Sequence, residues 1–380
     1  MKNTVLQSNL AAALSKVLKA ISPRAPLPIL GNVLLCAKNG RMSLTGSDLQ
    51  MSVTVWIDAK VERDGEITLP AKTFSDLVGR LSKDMVSLEL DSATDTVSLR
   101  CGSTSAQIKG IAAAKYPPVK TSDVKGIALP GHQFKQMMGH VGFAAAKEDN
   151  RPALTCVNTI IEGGCITMAT ADGYCLAVRS QPLDEVYAGK AEANIPAKSM
   201  IEVAGMIDET LPLSISLVNN QNIVSFRQGD RDLPILEISS QIVEGRFPAY
   251  GMIIPTKQVV ECTANREDWL KKARTAEIFA RDDAFSGRVV IEPPTMPGMT
   301  GMLKMVGRSA ERGDSSAPLE AEVKGESLDV HFDIRFIIDI LDHAEEEHMV
   351  FTSNGKDSPG VWRGLGRDNL IYVVMPMNRG

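Results

Sequence analysis

Three landmarks recur in one order at nearly constant spacing, and this repetition limits the folds open to the chain more than any other feature. Asp48 and Asp172 each follow a hydrophobic run and precede alternating apolar residues, and they lie 124 residues apart. The prolines of Leu69-Pro70-Ala71-Lys72 and Ile195-Pro196-Ala197-Lys198 lie 126 apart. Those of Tyr116-Pro117 and Phe247-Pro248 lie 131 apart. A chain of 380 residues with this period divides into three similar units, each of a usual domain size of about 125 residues. The third unit is fainter. It has a helix at Asn265–Arg281, then strands at Arg288–Ile291 and Met302–Val306, and Gly307-Arg308-Ser309 stands where an aspartate turn is expected. Leu328–Phe332 leads into a helix over 333–344, and strands at 349–352, 361–365 and 370–374 complete it.

The first unit shows the order of elements. A short strand, Thr4–Leu6, precedes a helix over Ser8–Ile21, with Ser8 as N-cap and Leu10, Leu14, Val17, Leu18 and Ile21 on one stripe. The apolar run Ile29–Leu35 reads as a strand, turned at Asn39-Gly40 into a second strand at Met42–Leu44. Pro70 opens a second helix reaching Leu81, and strands follow at Met85–Leu90 and Val97–Arg100. The pattern predicts an α+β fold in which each unit packs two helices on antiparallel sheets. Unit boundaries fall at 1–123, 124–252 and 253–380.

Hydrophobic residues make up 44% of the chain and charged residues 23%, enough apolar surface for real cores, while aromatics at 5% make those cores mostly aliphatic. The net charge of −5 argues against a simple basic nucleic-acid binder. Its distribution is uneven. Helices at 7–20, 70–83, 131–147, 196–208, 266–281 and 333–344 together carry +5, leaving −10 for the rest. A helical surface facing phosphate, with an acidic exterior, fits that division. Lys72 and Lys198 begin equivalent helices and are the candidates this pattern offers. The six cysteines form no C-x-x-C pair and read as free thiols in a reducing compartment. The N-terminus has no signal-peptide pattern, and no apolar run nears the ~18 residues of a bilayer span, so a cytoplasmic location is expected.

Chemistry is hard to find in this sequence. It lacks phosphate-loop, dinucleotide and nucleophile-elbow motifs in the right setting. His343 and His348 are five apart, which on a helix puts them on different faces, so no metal site is expected. Asp48 and Asp172 sit at equivalent turn positions, where a carboxylate bonds backbone N–H groups. No catalytic residue and no cofactor is expected. The C-terminal run Leu370–Val374 reads as a strand that Pro376 ends, with Met375 and Met377 where the strand meets the surface.

Five stretches resemble the bacterial sliding clamps, the beta subunit of DNA polymerase III: Arg24–Asn32, Leu44–Leu49, Asp172–Val178, Glu244–Tyr250 and Tyr372–Met377. The resemblance spans the whole chain. It implies three clamp-fold domains per subunit and a head-to-tail homodimeric ring, with helices lining the hole and duplex DNA passing through it. No base would be read. Arg24 matches a DNA-contacting position of the family. Between the second and third domains the family has a pocket for short peptides of the replicative polymerase, clamp loader and repair proteins. Carried over, it comprises Leu154, Ala171, Gly173, Tyr174, Cys175, Leu176, Pro248, Met252, Ile253, Val373, Met375, Pro376 and Met377. Tyr174-Cys175 and Met252 depart from the basic residues common there, so a less basic pocket with altered peptide preference is expected. Pro152-Ala153 stands where many members have two tyrosines. For the ring contact the resemblance offers Ala106, Ile108, Ile278 and Phe279. A monomeric adaptor that keeps the fold and pocket but does not encircle DNA is the alternative.

Overall fold

The computed structural model describes residues 1–377 apart from 23–26, 122–123, 149, 219–221, 256 and 297. Six α-helices occur among them: α1 (Gln7–Val17), α2 (Ala71–Val78), α3 (Gly131–Val141), α4 (Ala197–Met206), α5 (Arg266–Ala280) and α6 (Ile334–His343). Two helices fall in each sequence repeat, and every strand pairing is antiparallel, which is the α+β arrangement expected. The chain forms two compact units: residues 1–135 with 198–242, and residues 136–197 with 243–380. The middle repeat therefore contributes strands to both.

The first unit holds two sheets. One runs Lys60–Arg63, Lys2–Leu6, Met85–Asp91, Thr96–Cys101, Thr104–Lys109. The other runs Ile127–Pro130, Pro212–Val218, Ile223–Gly229, Pro234–Gln241, Met51–Asp58, Arg41–Ser47, Asn32–Lys38, Gly65–Pro70. The second unit has one ten-stranded sheet, from Cys156–Ala171 through Cys175–Pro196, Leu370–Val374, Gly360–Gly364, His348–Ser353, Val260–Asn265, Gly313–Gly325, Gly301–Ser309 and Ser286–Glu292 to Leu328–Asp333. Its core gathers the scarce aromatics: Trp269, Phe332, Phe351 and Trp362 are all fully buried, with ring centroids 4.8–6.5 Å apart.

The repeat is visible in single hydrogen bonds. Asp48 Oδ1 accepts from the N–H of Gln50 (3.0 Å) and Met51 (2.7 Å). Asp172 Oδ1 accepts from Tyr174 (2.8 Å) and Cys175 (2.7 Å). Ser309 Oγ does the same for Glu311 (3.3 Å) and Arg312 (3.1 Å). A hydroxyl thus replaces a carboxylate in the third turn, and it donates its own hydrogen bond to Asp282 Oδ2 at 2.6 Å. After each turn begins a strand that can receive the last strand of another repeat. The last strand of the second repeat pairs with the first (Leu236↔Val55, Ser240↔Met51). That of the third pairs with the second (Leu370↔Arg179, Val374↔Cys175).

Several local expectations change. Ser8 is not the cap of α1: the helix starts at Gln7, Leu6 precedes it without a side-chain cap, and the Ser8 hydroxyl reaches only Asn9. Ile29–Gly31 forms a 3₁₀ turn opened by Pro28, so the strand begins at Asn32, because proline favours a helical start over a ladder position. Asn39 and Gly40 both take positive φ (53° and 73°), as a tight hairpin turn between twisted strands requires. His343 ends α6 and His348 begins a strand, so they do not share a helix.

Candidate docking groove

The strand Leu370–Val374 is too apolar to stand in water, and it is held on both sides, by Cys175–Arg179 and by Gly360–Trp362. Side chains alternate across a strand, so this register sends Val373, Leu176, Val178 and Val361 to one face. There they meet Leu154, Ala169 and Ala171 in a buried cluster. Phe247, Tyr250, Ile254 and Ile371 pack against it half-buried, and the Phe247 and Tyr250 rings meet edge to face with centroids 6.2 Å apart.

Over this cluster lies a cavity of about 230 Å³, lined by Arg151, Leu154, Ala171, Gly173, Tyr174, Cys175, Leu176, Phe247, Pro248, Tyr250, Ile253, Val373 and Met375. The Asp172 turn shapes one lip. With two backbone N–H groups fixed on its carboxylate and Gly173 at φ +100°, Tyr174 stands 69% exposed. Its carbonyl accepts the Met375 N–H at 2.9 Å, which fixes the opposite lip. The Arg151 guanidinium lies beside Gly173, at ordinary contact distance (3.5 Å) from where a Cβ would stand. The segment carrying Phe247 and Pro248 is tied down by Asn194, whose Nδ2 donates to the Gly245 carbonyl at 2.9 Å. Burial pushes the Cys175 thiol well above its usual range, with Asp172 adding to the effect, so it lines the floor as a small neutral hydrophobe.

Ten of the thirteen residues carried over by resemblance line this cavity. Met252 does not: it is 87% exposed on the 3₁₀ turn Tyr250–Met252. Pro376 and Met377 also lie outside the lining, because the chain leaves the groove there and the Met377 N–H bonds the His331 carbonyl at 2.8 Å. Cys175 is buried, so it alters the floor and not the charge of the rim. The sequence reading missed Arg151, Phe247 and Tyr250. The two aromatics stand inside the quoted motif Glu244–Tyr250, and their scarcity in this chain was the available signal.

The equivalent position at the other internal seam is polar and buried. Ser52 and Ser239 occupy the places of Leu176 and Val373, with their hydroxyls 2.6 Å apart and buried. Tyr116, the counterpart of Phe247, is only 7% exposed, and burial pushes its hydroxyl up to about 12.

Other candidates scatter. Arg24 lies outside the described residues. Lys72 and Lys198 are exposed at the second residue of α2 and α4, and neither has an ion-pair partner among the described residues. Arg335 holds the same place in α6, bonded to Asp333 and stacked 4.1 Å over Phe285. Most other helix cations are paired, among them Lys19 with Glu202 (2.9 Å), Lys135 with Glu209 (2.9 Å) and Arg274 with Asp342 (2.7 Å). Of the ring-contact candidates, Ile278 is 54% exposed on α5 and Phe279 is half-buried. Ile108 is 6% exposed, so its side chain packs in the core of its own sheet, and Ala106, two residues away on the same face, is half-buried.

Models of two domains of one family match the chain: the DNA polymerase III beta subunit N-terminal domain at residues 1–120 and its central domain at 128–249. The beta sliding clamp of Synechococcus elongatus is 28% identical over 99% of both chains, and that of Bacillus subtilis 24% over 99% of both. The crystal structure of the Bacillus subtilis DNA polymerase sliding clamp superposes with a TM-score of 0.93 over 100% of both chains at 23% identity. A Pseudomonas aeruginosa clamp solved bound to griselimycin superposes at 0.91 over 100% of both chains, at 22% identity. With its first two repeats matched in order and relatives aligned end to end, the chain belongs to the DNA polymerase III beta subunit family.

Proposed function

We propose that this chain is a non-catalytic DNA sliding clamp, a processivity factor that encircles duplex DNA as a homodimer. The observation that carries this reading is a third seam left open. In both internal seams, the last strand of one repeat lies on the strand after another repeat's turn. Two such edges have no partner among the described residues: Thr104–Lys109 and the first half of Gly313–Gly325. The hairpins align Ala106 with Ile238 and Tyr372, since each faces a buried residue (Leu99, Phe226, Trp362) on the preceding strand. Transferring the internal registers pairs Ile108 with Arg312, Ala106 with Asp314 and Thr104 with Ser316 of a second copy. The contact is heterologous, and two copies with three repeats each close it into a ring.

Repeats at 1–123, 124–252 and 253–380 are then the three domains. The equivalent helix starts bearing Lys72 and Lys198 supply sequence-independent attraction for phosphate, with Arg24 added by family resemblance, while Arg335 at the third such start is neutralised by Asp333. Because most other helix cations are paired, that attraction is weak, which suits a ring that must slide. The apolar groove over Leu154, Leu176 and Val373 receives short peptides of the replicative polymerase, clamp loader and repair proteins. No helix among the described residues is long and apolar enough to cross a membrane, and a cytoplasmic site of action is part of this reading.

Retention on DNA tests it. Loaded by a clamp loader onto nicked circles, the protein stays bound in high salt and is lost when the circle is linearised. Equal behaviour on circular and linear DNA, or a solution mass of 41.0 kDa at micromolar concentration, overturns the ring and favours a monomeric adaptor.

A further inference from the structure

A second cleft, of about 330 Å³, lies on the third repeat and is lined by Asp283, Ser286, Arg288, Arg308, Asp329 and His331, with Val306 at its floor. The internal repeat says what this place does elsewhere. Asn32, Cys156 and Ser286 are equivalent, because each pairs with the residue just before its repeat's second helix (Pro70, Pro196, Asp333). Two residues before those come Thr68, Asn194 and His331. The carbonyl of each accepts an N–H from the chain leaving the repeat, Ile111 at 3.0 Å, Val243 at 2.9 Å and Met377 at 2.8 Å. In the first two repeats the side chain also grips that chain. Thr68 Oγ1 donates to the Ile111 carbonyl and Asn194 Nδ2 to the Gly245 carbonyl, both at 2.9 Å. Thr68 and Asn194 are buried beneath the segment they hold.

In the third repeat the same position is His331, half-buried and facing the cleft, with Nδ1 3.0 Å from the Ser286 hydroxyl. The residue before the turn changes as well, from Ser47 and Ala171 to Arg308. Arg308 is exposed, and its side chain has no hydrogen bond or ion pair among the described residues, its charge acting only at longer range on Asp329 and His331. The Asp329 carboxylate is taken up by Arg288, through Nε at 2.7 Å and through Nη2. The cleft thus keeps the side-chain donor that clamps an extended backbone and adds an uncommitted guanidinium, a group that binds carboxylates strongly.

We propose that this cleft is a second docking site, separate from the apolar groove, for an extended peptide segment of a partner protein bearing an acidic residue. Arg308 holds the carboxylate. His331, with the Ser286 hydroxyl hydrogen on Nδ1, donates from Nε2 to the segment's backbone, as Thr68 and Asn194 do within the chain.

The test uses the whole protein and a blocked tetrapeptide with two central glutamates, against the same peptide with glutamines. Binding is followed by the ¹H–¹⁵N signals of the His331 imidazole. The glutamate peptide is expected to give a saturable shift and the glutamine peptide none, with Arg308→Ala and Arg308→Glu each weakening binding at least tenfold. The shift should persist when a hydrophobic peptide fills the apolar groove. No shift, or equal response to both tetrapeptides, overturns the proposal. So does loss on filling the groove. Inorganic phosphate binding as tightly as the peptide marks a free-oxyanion site instead. Binding that emerges only after deletion of residues 378–380 makes the chain's own end the occupant.

Discussion

His140 is the most unusual single residue. It is 1% exposed, and neither ring nitrogen has a hydrogen-bond partner among the described residues. Glu345 Oε2 lies 3.8 Å from Nε2, and Arg179 and Arg367 stand nearby. Burial dominates and pushes the imidazole down to about 4, against the pull of Glu345 and with the help of both arginines. The folded protein therefore keeps His140 neutral, while the unfolded chain takes up a proton near the ordinary histidine value of about 6.5. Stability falls as pH drops through the window between those values, by at most about 1.4 kcal/mol per pH unit from this group. The variant His140→Leu should show a flatter decline of Tm between pH 6.5 and 4, and an unchanged slope would assign the acid sensitivity to other groups. At the groove, Met375 is 39% exposed, so Met375→Asp should leave Tm unchanged and weaken a clamp-binding peptide at least tenfold by fluorescence polarisation.

At the scale of the element, the turn carries the most meaning. Asp48 and Asp172 make the same two backbone bonds, so truncating either to alanine should cost about 1–3 kcal/mol in chemical denaturation. Only Asp172→Ala should weaken peptide binding, because only its turn presents Tyr174 and the carbonyl that fixes Met375. Equal loss of binding in both variants would mean that the two turns act through global stability. These turns were legible in the sequence wherever an aspartate marks them. Ser309 was harder to see because a hydroxyl does the carboxylate's task, and Arg335 was missed because its repeat is the most divergent. Helix positions followed from apolar spacing and from Pro70 and Pro196, whereas the Ser8 cap failed because the strand before α1 leads straight into it.

At the scale of the molecule, the open seam can be tested by cross-linking. The transferred register faces Ser105 of one copy with Ser315 of another, as Glu237 faces Thr54 and Ile371 faces Val178 within the chain. A Ser105→Cys, Ser315→Cys double variant should form a covalent dimer under mild oxidation and stay on circular DNA through a salt wash. Pairing Ser105→Cys with Asp314→Cys should cross-link poorly, since a one-residue offset turns the two side chains to opposite faces. The reverse preference would refute the register. Ile108→Asp is not a clean test of assembly, because burying a carboxylate at that position would disturb the subunit's own core.

The sequence by itself determined the threefold repeat, the α+β elements and the family, since spacing, apolar periodicity and turn chemistry are local and survive divergence. It also carried most of the groove, because the residues that build it cluster in motifs around Asp172, Pro248 and the C-terminal strand. Only the tertiary structure decided which internal seam carries the apolar groove. Leu176 facing Val373 lies under an apolar cavity, while Ser52 facing Ser239 forms a buried hydroxyl pair at the same place. That choice depends on which side chains share a face, and a face is fixed only when two distant strands settle into register.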